Sequence, residues 1–287
     1  MSQPSPEPSP DAGLLFSSLP SPTAFPFGAG VFTTVAVESG TPEHAARVAS
    51  VDRSGSLYLF DAHTGRSRRT GSVSIPASCL HFSAAPASSG QLIVGMSDAT
   101  LRSVNGLTGD LVETFGAIHK GEIHSIDQNR DGSLLVTASR DVAALWGGGG
   151  GGGAAVGLNG SSSHGSTTSP STPTSPWQAT PLRSLGPSAT SGPITAAALA
   201  SHADYIAVAF SDDSILVWQA RTFQKMAKLL LPPEEAGAGL QALSLSPDGT
   251  LLAAGAANGC VIFFYGYGTV LHWGFESEYL SAHQGIM

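Results

Sequence analysis

The chain has 287 residues, of which 13 are Lys or Arg and 21 are Asp or Glu, so its formal net charge is −8. This acidic balance argues against nucleic-acid binding, which needs a basic surface to displace counterions from phosphates, and it also disfavours an anionic membrane surface. Only 12% of the residues are charged, while 35 are Gly and 19 are Pro, which indicates a folded core interrupted by low-complexity segments.

The first segment, residues 1–26, is rich in Ser and Pro. We predict that it is disordered, because it has too few apolar side chains to offset the entropy of ordering. It lacks the basic and apolar regions of a secretory signal, and no apolar run in the sequence approaches the roughly 20 residues that cross a bilayer. Cys79 and Cys260 cannot form a disulfide framework. These features predict a cytoplasmic protein, with a nuclear location as the alternative, and no membrane insertion.

From about Phe32 the sequence consists of short apolar runs separated by Gly, Asp and Ser, a pattern typical of β-strands. Five of the runs end on a bulky residue, and we call these five residues the anchors: Phe60, Val104, Trp146, Trp218 and Phe264. Their spacings are 44, 42, 72 and 46 residues, so three of the four indicate a repeat with a period near 44.

The long interval contains seven consecutive glycines, Gly147–Gly153, and then a stretch rich in Ser, Thr and Pro. We therefore predict a low-complexity insertion over residues 147–193. Repeats 1–3 are assigned to residues 27–146 and repeats 4–5 to residues 194–275, and 276–287 is predicted to begin a truncated sixth repeat.

Each repeat has the same order of elements. In the third and fifth repeats, apolar runs are separated by Asp131-Gly132, Asp248-Gly249 and Asn258-Gly259, which are strong hairpin signals because these residues tolerate positive φ. A further run, such as residues 111–117, follows each unit. Four antiparallel strands every ~44 residues predict an all-β propeller with about five blades, and we expect it to be incomplete.

The third repeat resembles the WD-repeat family. His119 stands at the family's entry His, and Ser139, Asp141 and Trp146 stand where WD repeats place a hydrogen-bonded Ser/Thr, Asp and Trp. Asp141 precedes Trp146 by five residues, one fewer than is usual. The terminal Trp-Asp pair is degenerate in the other repeats, which we interpret as Phe60-Asp61 in the first repeat and the anchors Trp218 and Phe264 in the last two.

Several segments also resemble, in order, the WD-repeat region of a TBC-domain family, among them GSLYLFDAHTGRSRRT, TASRDVAALW and FSDDSILVWQARTFQKMAKLLLPPEE. The resemblance implies a scaffold for other proteins at centriolar satellites and the base of the cilium. TBC domains act on Rab GTPases through Ile-x-x-Asp-x-x-Arg and Tyr-x-Gln motifs. Neither motif occurs here. Asp127-x-x-Arg130 has the Asp–Arg spacing of the first motif, but it follows His124 where that motif has Ile. We therefore predict no enzyme activity.

Two alternatives to a ciliary scaffold stay open. In the first, the chain is the propeller portion of a TBC-type Rab GTPase-activating protein. In the second, it is an unrelated WD-repeat adaptor, for example of a ubiquitin ligase or of ribosome assembly. A longer transcript encoding a TBC domain would favour the first.

The remaining candidate residues point to structural roles. His119 and His124 lack the second ligand pair of a zinc site, and no phosphate- or dinucleotide-binding motif occurs, so we predict neither a metal nor a cofactor. The arginines at 66, 68 and 69 form the one basic cluster, predicted to be a solvated strand, with a docking patch for an acidic partner as the alternative. Both cysteines are predicted to be buried. Four residues that precede prolines in the insertion are possible phosphorylation sites: Ser169, Thr172, Ser175 and Thr180.

Overall fold

The computed structural model of the protein describes residues 32–38, 47–61, 66–73, 76–84, 90–148, 177, 180–186, 192–202, 204–231, 233–267 and 272–275. The predicted tail at 1–26 and the predicted start of a sixth repeat at 276–287 lie outside these residues.

The described residues form five four-stranded antiparallel sheets and one short 3-10 helix, Pro233–Glu235. Sheet 1 contains β1 (Phe32–Val37), β2 (Arg47–Asp52), β3 (Ser56–Asp61) and β4 (Arg66–Ser72). Sheet 2 contains β5 (Ala77–Phe82), β6 (Gln91–Met96), β7 (Leu101–Asn105) and β8 (Leu111–Thr114). Sheet 3 contains β9 (Ile123–Gln128), β10 (Leu134–Ser139), β11 (Ala143–Gly147) and β12 (Arg183–Leu185). Sheet 4 contains β13 (Ile194–Leu199), β14 (Tyr205–Phe210), β15 (Ser214–Gln219) and β16 (Lys225–Leu230). Sheet 5 contains β17 (Leu240–Leu245), β18 (Leu251–Ala256), β19 (Val261–Tyr267) and β20 (His272–Phe275).

The five anchors occupy the same place in every sheet. Each lies on the third strand and pairs with the second residue of the second strand, in the pairs Phe60↔Val48, Val104↔Leu92, Trp146↔Leu135, Trp218↔Ile206 and Phe264↔Leu252. The sequence period near 44 residues therefore corresponds to one sheet, and the predicted all-β repeat is confirmed.

Neighbouring sheets pack face to face in chain order. The first strand of each sheet contacts the first strand of the next, from β1 through β5, β9 and β13 to β17. Alternate residues of a strand point to opposite faces, so each inner sheet contributes to two apolar clusters. Leu135 packs between sheets 2 and 3, for example, while Val136 packs between sheets 3 and 4. Successive packing of four-stranded sheets is the arrangement of propeller blades.

Sheet 5 is covered on one face only within the described part of the chain. Strand β18 is fully buried at alternate positions, Leu252 and Ala254, whereas every residue of β10 in sheet 3 is buried. The five described blades are therefore an incomplete propeller, as the sequence predicted.

The predicted boundaries of the insertion, 147–193, need correction, because part of this range belongs to the third blade. Gly147 ends β11, and Arg183–Leu185 forms β12 and pairs with β11. Trp177 is only 4% exposed and forms an isolated bridge with Gly148. Strand β12 has three residues and two of them are polar, so it carries no apolar alternation that sequence reasoning could detect.

The predicted Gly-containing turns are confirmed by their backbone conformation. Gly132, Gly249 and Gly259 have φ values of +69°, +72° and +86°. A side chain on a residue with such φ values is strained, which explains why glycine stands at these turns.

Candidate functional site

The structure brings the four predicted residues of the third repeat into one hydrogen-bonded network and adds a fifth, Thr137. His119 lies in the connection from β8 to β9, Thr137 and Ser139 lie on β10, Asp141 lies in the β10–β11 turn, and Trp146 lies on β11. His119 is 7% exposed, and the two hydroxyl residues and Trp146 are 0% exposed. A network this deeply buried has to satisfy its polar groups internally.

The direction of every hydrogen bond in this network follows from the donors that are present. Ser139 Oγ donates to Asp141 Oδ1 over 2.6 Å, so the His119 Nδ1–H donates to Ser139 Oγ over 2.8 Å. The Nε2 atom of His119 is then an acceptor for the Thr137 hydroxyl at 2.8 Å, and Trp146 Nε1–H donates to Thr137 Oγ1 over 2.9 Å. One tautomer of His119 satisfies the whole chain.

His119 is neutral at physiological pH. Burial lowers its pKa to about 4, because the charged imidazolium loses its hydration, and the nearby Asp141 offsets only part of that effect. Burial also raises the pKa of Asp141, but hydrogen bonds from Ser139 Oγ and the Lys120 amide lower it by more, and the pKa lies below its ordinary value. Both ring nitrogens of His119 are used within the protein, so a metal or a substrate proton could reach the ring only by breaking a hydrogen bond.

The short turn before Trp146 sets the position of Asp141. In the other four blades, the residue five positions before the anchor has positive φ, and these residues are Gly55, Ala99, Asp213 and Gly259. The third blade has no positive-φ residue at this turn, and Asp141 itself occupies the position five residues before Trp146. The shorter turn directs the carboxylate to Ser139 and to the Lys120 amide, at 3.3 Å from the amide nitrogen.

In two of the other blades the corresponding Asp caps its own turn. Asp98 Oδ1 accepts the Thr100 amide at 3.0 Å, and Asp212 Oδ1 accepts the Ser214 amide at 3.1 Å. His119 stands four residues before the first strand of its blade, and no His occurs at that position in the other repeats, which have Gly28, Val73, Thr190 and Ala236 there. The His-centred network is therefore particular to the third blade.

Trp146 also anchors the core between the second and third blades. Its ring meets Phe115 edge to face, with centroids 5.7 Å apart and an interplanar angle of 74°. Trp177, from the range predicted as insertion, packs in the same buried cluster. Sequence reasoning missed Thr137 and Trp177. Thr137 could have been noticed, because a hydroxyl in the middle of a buried apolar strand needs a hydrogen-bond partner.

The other predicted anchor residues lie in the first, fourth and fifth sheets. Phe264 is 2% exposed, and Phe60, Asp61 and Trp218 are half-buried on the third strands of their sheets. Asp61 lies opposite Arg47 and Arg66 in the strand ladders. Phe60, Trp218 and Phe264 share the register position of Trp146, whereas Asp61 lies one residue further along β3.

The first strands of four blades line a central cavity of about 250 Å³. From β9, Ser125 and Asp127 reach across to β13, where Asp127 Oδ2 accepts the Leu199 amide at 2.9 Å and Ser125 Oγ accepts the Ala197 amide at 3.3 Å. Burial raises the pKa of Asp127 and lowers that of His81. Ser125 and Asp127 therefore link the third and fourth blades.

A second cavity of about 470 Å³ lies at the loops between the third and fourth blades. There Arg221 forms an ion pair with Asp204 at 2.6 Å, and Arg130 Nη1 donates to His202 Nε2 at 3.0 Å. Cations and carboxylates alternate around this cavity, so it has no single sign of charge to select a ligand.

The remaining predicted residues are separate from these features. His124 Nδ1 lies 3.2 Å from Ser125 Oγ, and the part of the chain that the structure describes has no group of three His, Cys, Asp or Glu arranged to hold a metal. Cys79 is buried, as predicted, but Cys260 is half-buried because it directly follows an exposed turn. Burial raises the pKa of the Cys79 thiol to about 12.

Of the possible phosphorylation sites, Thr180 is exposed, while Ser169, Thr172 and Ser175 lie outside the described residues. The three arginines of the basic cluster are exposed on β4, which fits both a solvated fourth strand and the alternative of a docking patch. No helix among the described residues has the length and apolar character needed to cross a membrane.

Comparison with known protein families gives a match within the fifth repeat. Residues 235–264, which cover the fifth repeat through Phe264, match the model for the WD domain, G-beta repeat. Curated proteins include none that is similar to this chain. The matched repeat has the strand order and register of the four others.

Proposed function

We propose that this chain, whose fold is an incomplete WD-repeat β-propeller, is a non-catalytic scaffold that binds other proteins. The observation that carries the proposal is the recurrence of one sheet five times in a single register, with a WD-repeat match on the fifth. Such a frame holds many loops at fixed positions, and loops on a rigid frame are where proteins place binding residues. WD-repeat domains generally mediate protein–protein contacts.

The network around His119 has a structural role in this proposal. Support comes from the engagement of both ring nitrogens and of the Trp146 indole, and from the low pKa of His119. A general base needs a pKa near the working pH and an accessible lone pair. His119 has neither, and its partners fix the entry loop of the third blade to β10 and β11.

We further propose that the scaffold acts in the cytoplasm, at centriolar satellites or the base of the cilium. The support for this location is the ordered series of segments that resemble the WD-repeat region of the TBC-domain family. A fluorescently tagged chain imaged with a centriolar marker tests it: concentration around centrioles is expected, and a uniform distribution would overturn this location without affecting the scaffold role.

The scaffold role itself is tested by proximity labelling with the tagged full chain in cells. The control is Trp146→Ala, which removes the largest fully buried side chain and is expected to destabilise the third blade. We expect a reproducible set of proteins that is labelled by the wild-type chain and lost with the variant. A wild-type chain that labels nothing above an unfused labelling enzyme would refute the scaffold.

A further inference from the structure

The basic cluster lies beside the crevice between the first and second blades. On β4, Arg66 pairs with Asp61 and Arg68 with Leu59. Leu59 packs in the apolar cluster between sheets 1 and 2. Residues that are opposite each other in a ladder share a face, so Arg66 and Arg68 lie on the face of sheet 1 that is turned toward sheet 2.

The facing wall of this crevice is apolar and exposed. Leu107 is 47% exposed and Leu111 is 58% exposed. Leu111 pairs with Val104, whose side chain packs in the same cluster between sheets 1 and 2, so Leu111 lies on the face turned toward sheet 1. Large apolar side chains grouped at a surface mark a binding site more often than isolated ones do.

The two walls are in direct contact. Arg68 Nη2 donates to the Leu107 carbonyl over 3.3 Å. Below it the backbones of Gly71 and Gly109 touch, since a Cβ atom on Gly71 would lie 2.7 Å from Gly109 Cα. The basic and the apolar residues therefore form one continuous surface, and we call Arg66, Arg68, Leu107 and Leu111 the first crevice.

We propose that the first crevice binds an extended peptide in which acidic and apolar side chains alternate, an inference that rests on the proposed scaffold function. Arg66 and Arg68 are exposed, and each guanidinium has five N–H donors, so both can bind a carboxylate that approaches from solvent. Guanidinium–carboxylate hydrogen bonds are among the stronger polar contacts. Strands β4 and β8 are both sheet edges, which is where extended peptides add.

Charge complementarity favours a peptide over a nucleic acid. The chain has a net charge of −8, and a polynucleotide would face repulsion everywhere outside this cluster. A peptide of a few residues contacts only the first crevice. Its acidic side chains can bind the arginines while its apolar side chains cover Leu107 and Leu111, whereas a phosphate backbone has no apolar groups to cover them.

The test is fluorescence anisotropy with the full chain and a labelled extended peptide in which Leu alternates with Asp and Glu. The double variant Arg66→Glu/Arg68→Glu removes the cationic wall, and Leu111→Asp places a like charge in the apolar wall. Each is expected to weaken binding about tenfold or more, the loss for one or two charge-assisted contacts. The matched control is Arg53→Glu, an exposed arginine on the turn between β2 and β3 of the same blade, which should bind as the wild type does.

Three results would overturn the proposal: no binding of the peptide to the wild-type chain, equal affinity in the double variant, or equal affinity for an all-Glu peptide or single-stranded DNA. All substituted side chains are exposed, and thermal unfolding of each variant verifies its fold. Proximity labelling by the double variant separates the two proposals. A wild-type partner set that the double variant keeps intact refutes the first crevice and leaves the scaffold standing, whereas no partner set at all refutes the scaffold.

Discussion

The hydroxyl oxygen of Thr137 lies 2.9 Å from the indole nitrogen of Trp146, and the same hydroxyl donates to His119. A single side chain on β10 therefore joins the third strand of the blade to its entry loop. Removal of that hydroxyl would leave an indole N–H and an imidazole nitrogen without partners, and all three side chains are buried.

We expect Thr137→Val to lower the free energy of unfolding by about 2–4 kcal/mol, because two buried polar groups lose their partner while the side-chain volume stays nearly constant. Thr137→Ser keeps the hydroxyl and should cost about 1 kcal/mol, the loss of one buried methyl group. Urea unfolding followed by Trp fluorescence measures both. Equal losses in the two variants would show that the hydroxyl contributes nothing.

The Trp146 ring should contribute more than its hydrogen bond. Trp146→Ala is expected to cost about 3–5 kcal/mol, because it leaves a cavity against Phe115 and Trp177 and removes the hydrogen bond that the Thr137 oxygen accepts from the indole. The corresponding anchor of the fourth blade, Trp218, is half-buried, so Trp218→Ala should cost clearly less. Differential scanning calorimetry of the two variants tests the ranking, and an unchanged melting temperature for Trp146→Ala would contradict it.

The buried His119 makes stability depend on pH. Its pKa is about 4 in the folded chain, whereas an unfolded His titrates near 6.5. The folded state therefore binds fewer protons in this interval, so the stabilisation is complete above pH 6.5 and is lost as the pH falls toward 4. Between pH 7.5 and 5.0 the loss from His119 is about 2 kcal/mol.

Urea unfolding at the two pH values measures this dependence. Burial also lowers the pKa of His81 and His124, so the wild-type chain should lose more than the share of His119 alone. His119→Gln should reduce the difference between the two pH values. Identical pH dependence in wild type and His119→Gln would show that the ring is not held neutral.

The features predicted from the sequence were those that repeat. The anchors recur at one register position in five sheets, and Asp-Gly and Asn-Gly report directly on local backbone conformation, so the fold and the turns followed from spacing and residue type. Features that depend on a single contact were missed. Thr137 is one hydroxyl within an apolar strand, and only the placement of His119 beside it shows its use.

Only the basic wall of the first crevice could be predicted from the sequence. The sequence showed a basic cluster at 66–69, but the apolar wall lies about 40 residues later and carries no pattern of its own. Register fixes which arginines share a face, and the contact from Arg68 to the Leu107 carbonyl brings the two walls together. Tertiary contacts of this kind cannot be deduced from local periodicity.

The corrected boundary of the insertion predicts which residues the third blade can lose. Gly148 and Trp177 form an antiparallel bridge, so the chain ends on either side of residues 149–176 lie side by side. An Asn-Gly turn can close such a pair, and the shorter loop lowers the entropic cost of closure by about 1–2 kcal/mol. Replacement of 149–176 by Asn-Gly should therefore leave the melting temperature unchanged or raise it.

A longer deletion, through residue 186, also removes Trp177 and β12. It should lower the free energy of unfolding by several kcal/mol, and Trp177→Ala in the full chain should lower it by about 3 kcal/mol. Equal melting temperatures for the short and the long deletion would place Trp177 and β12 outside the folded blade.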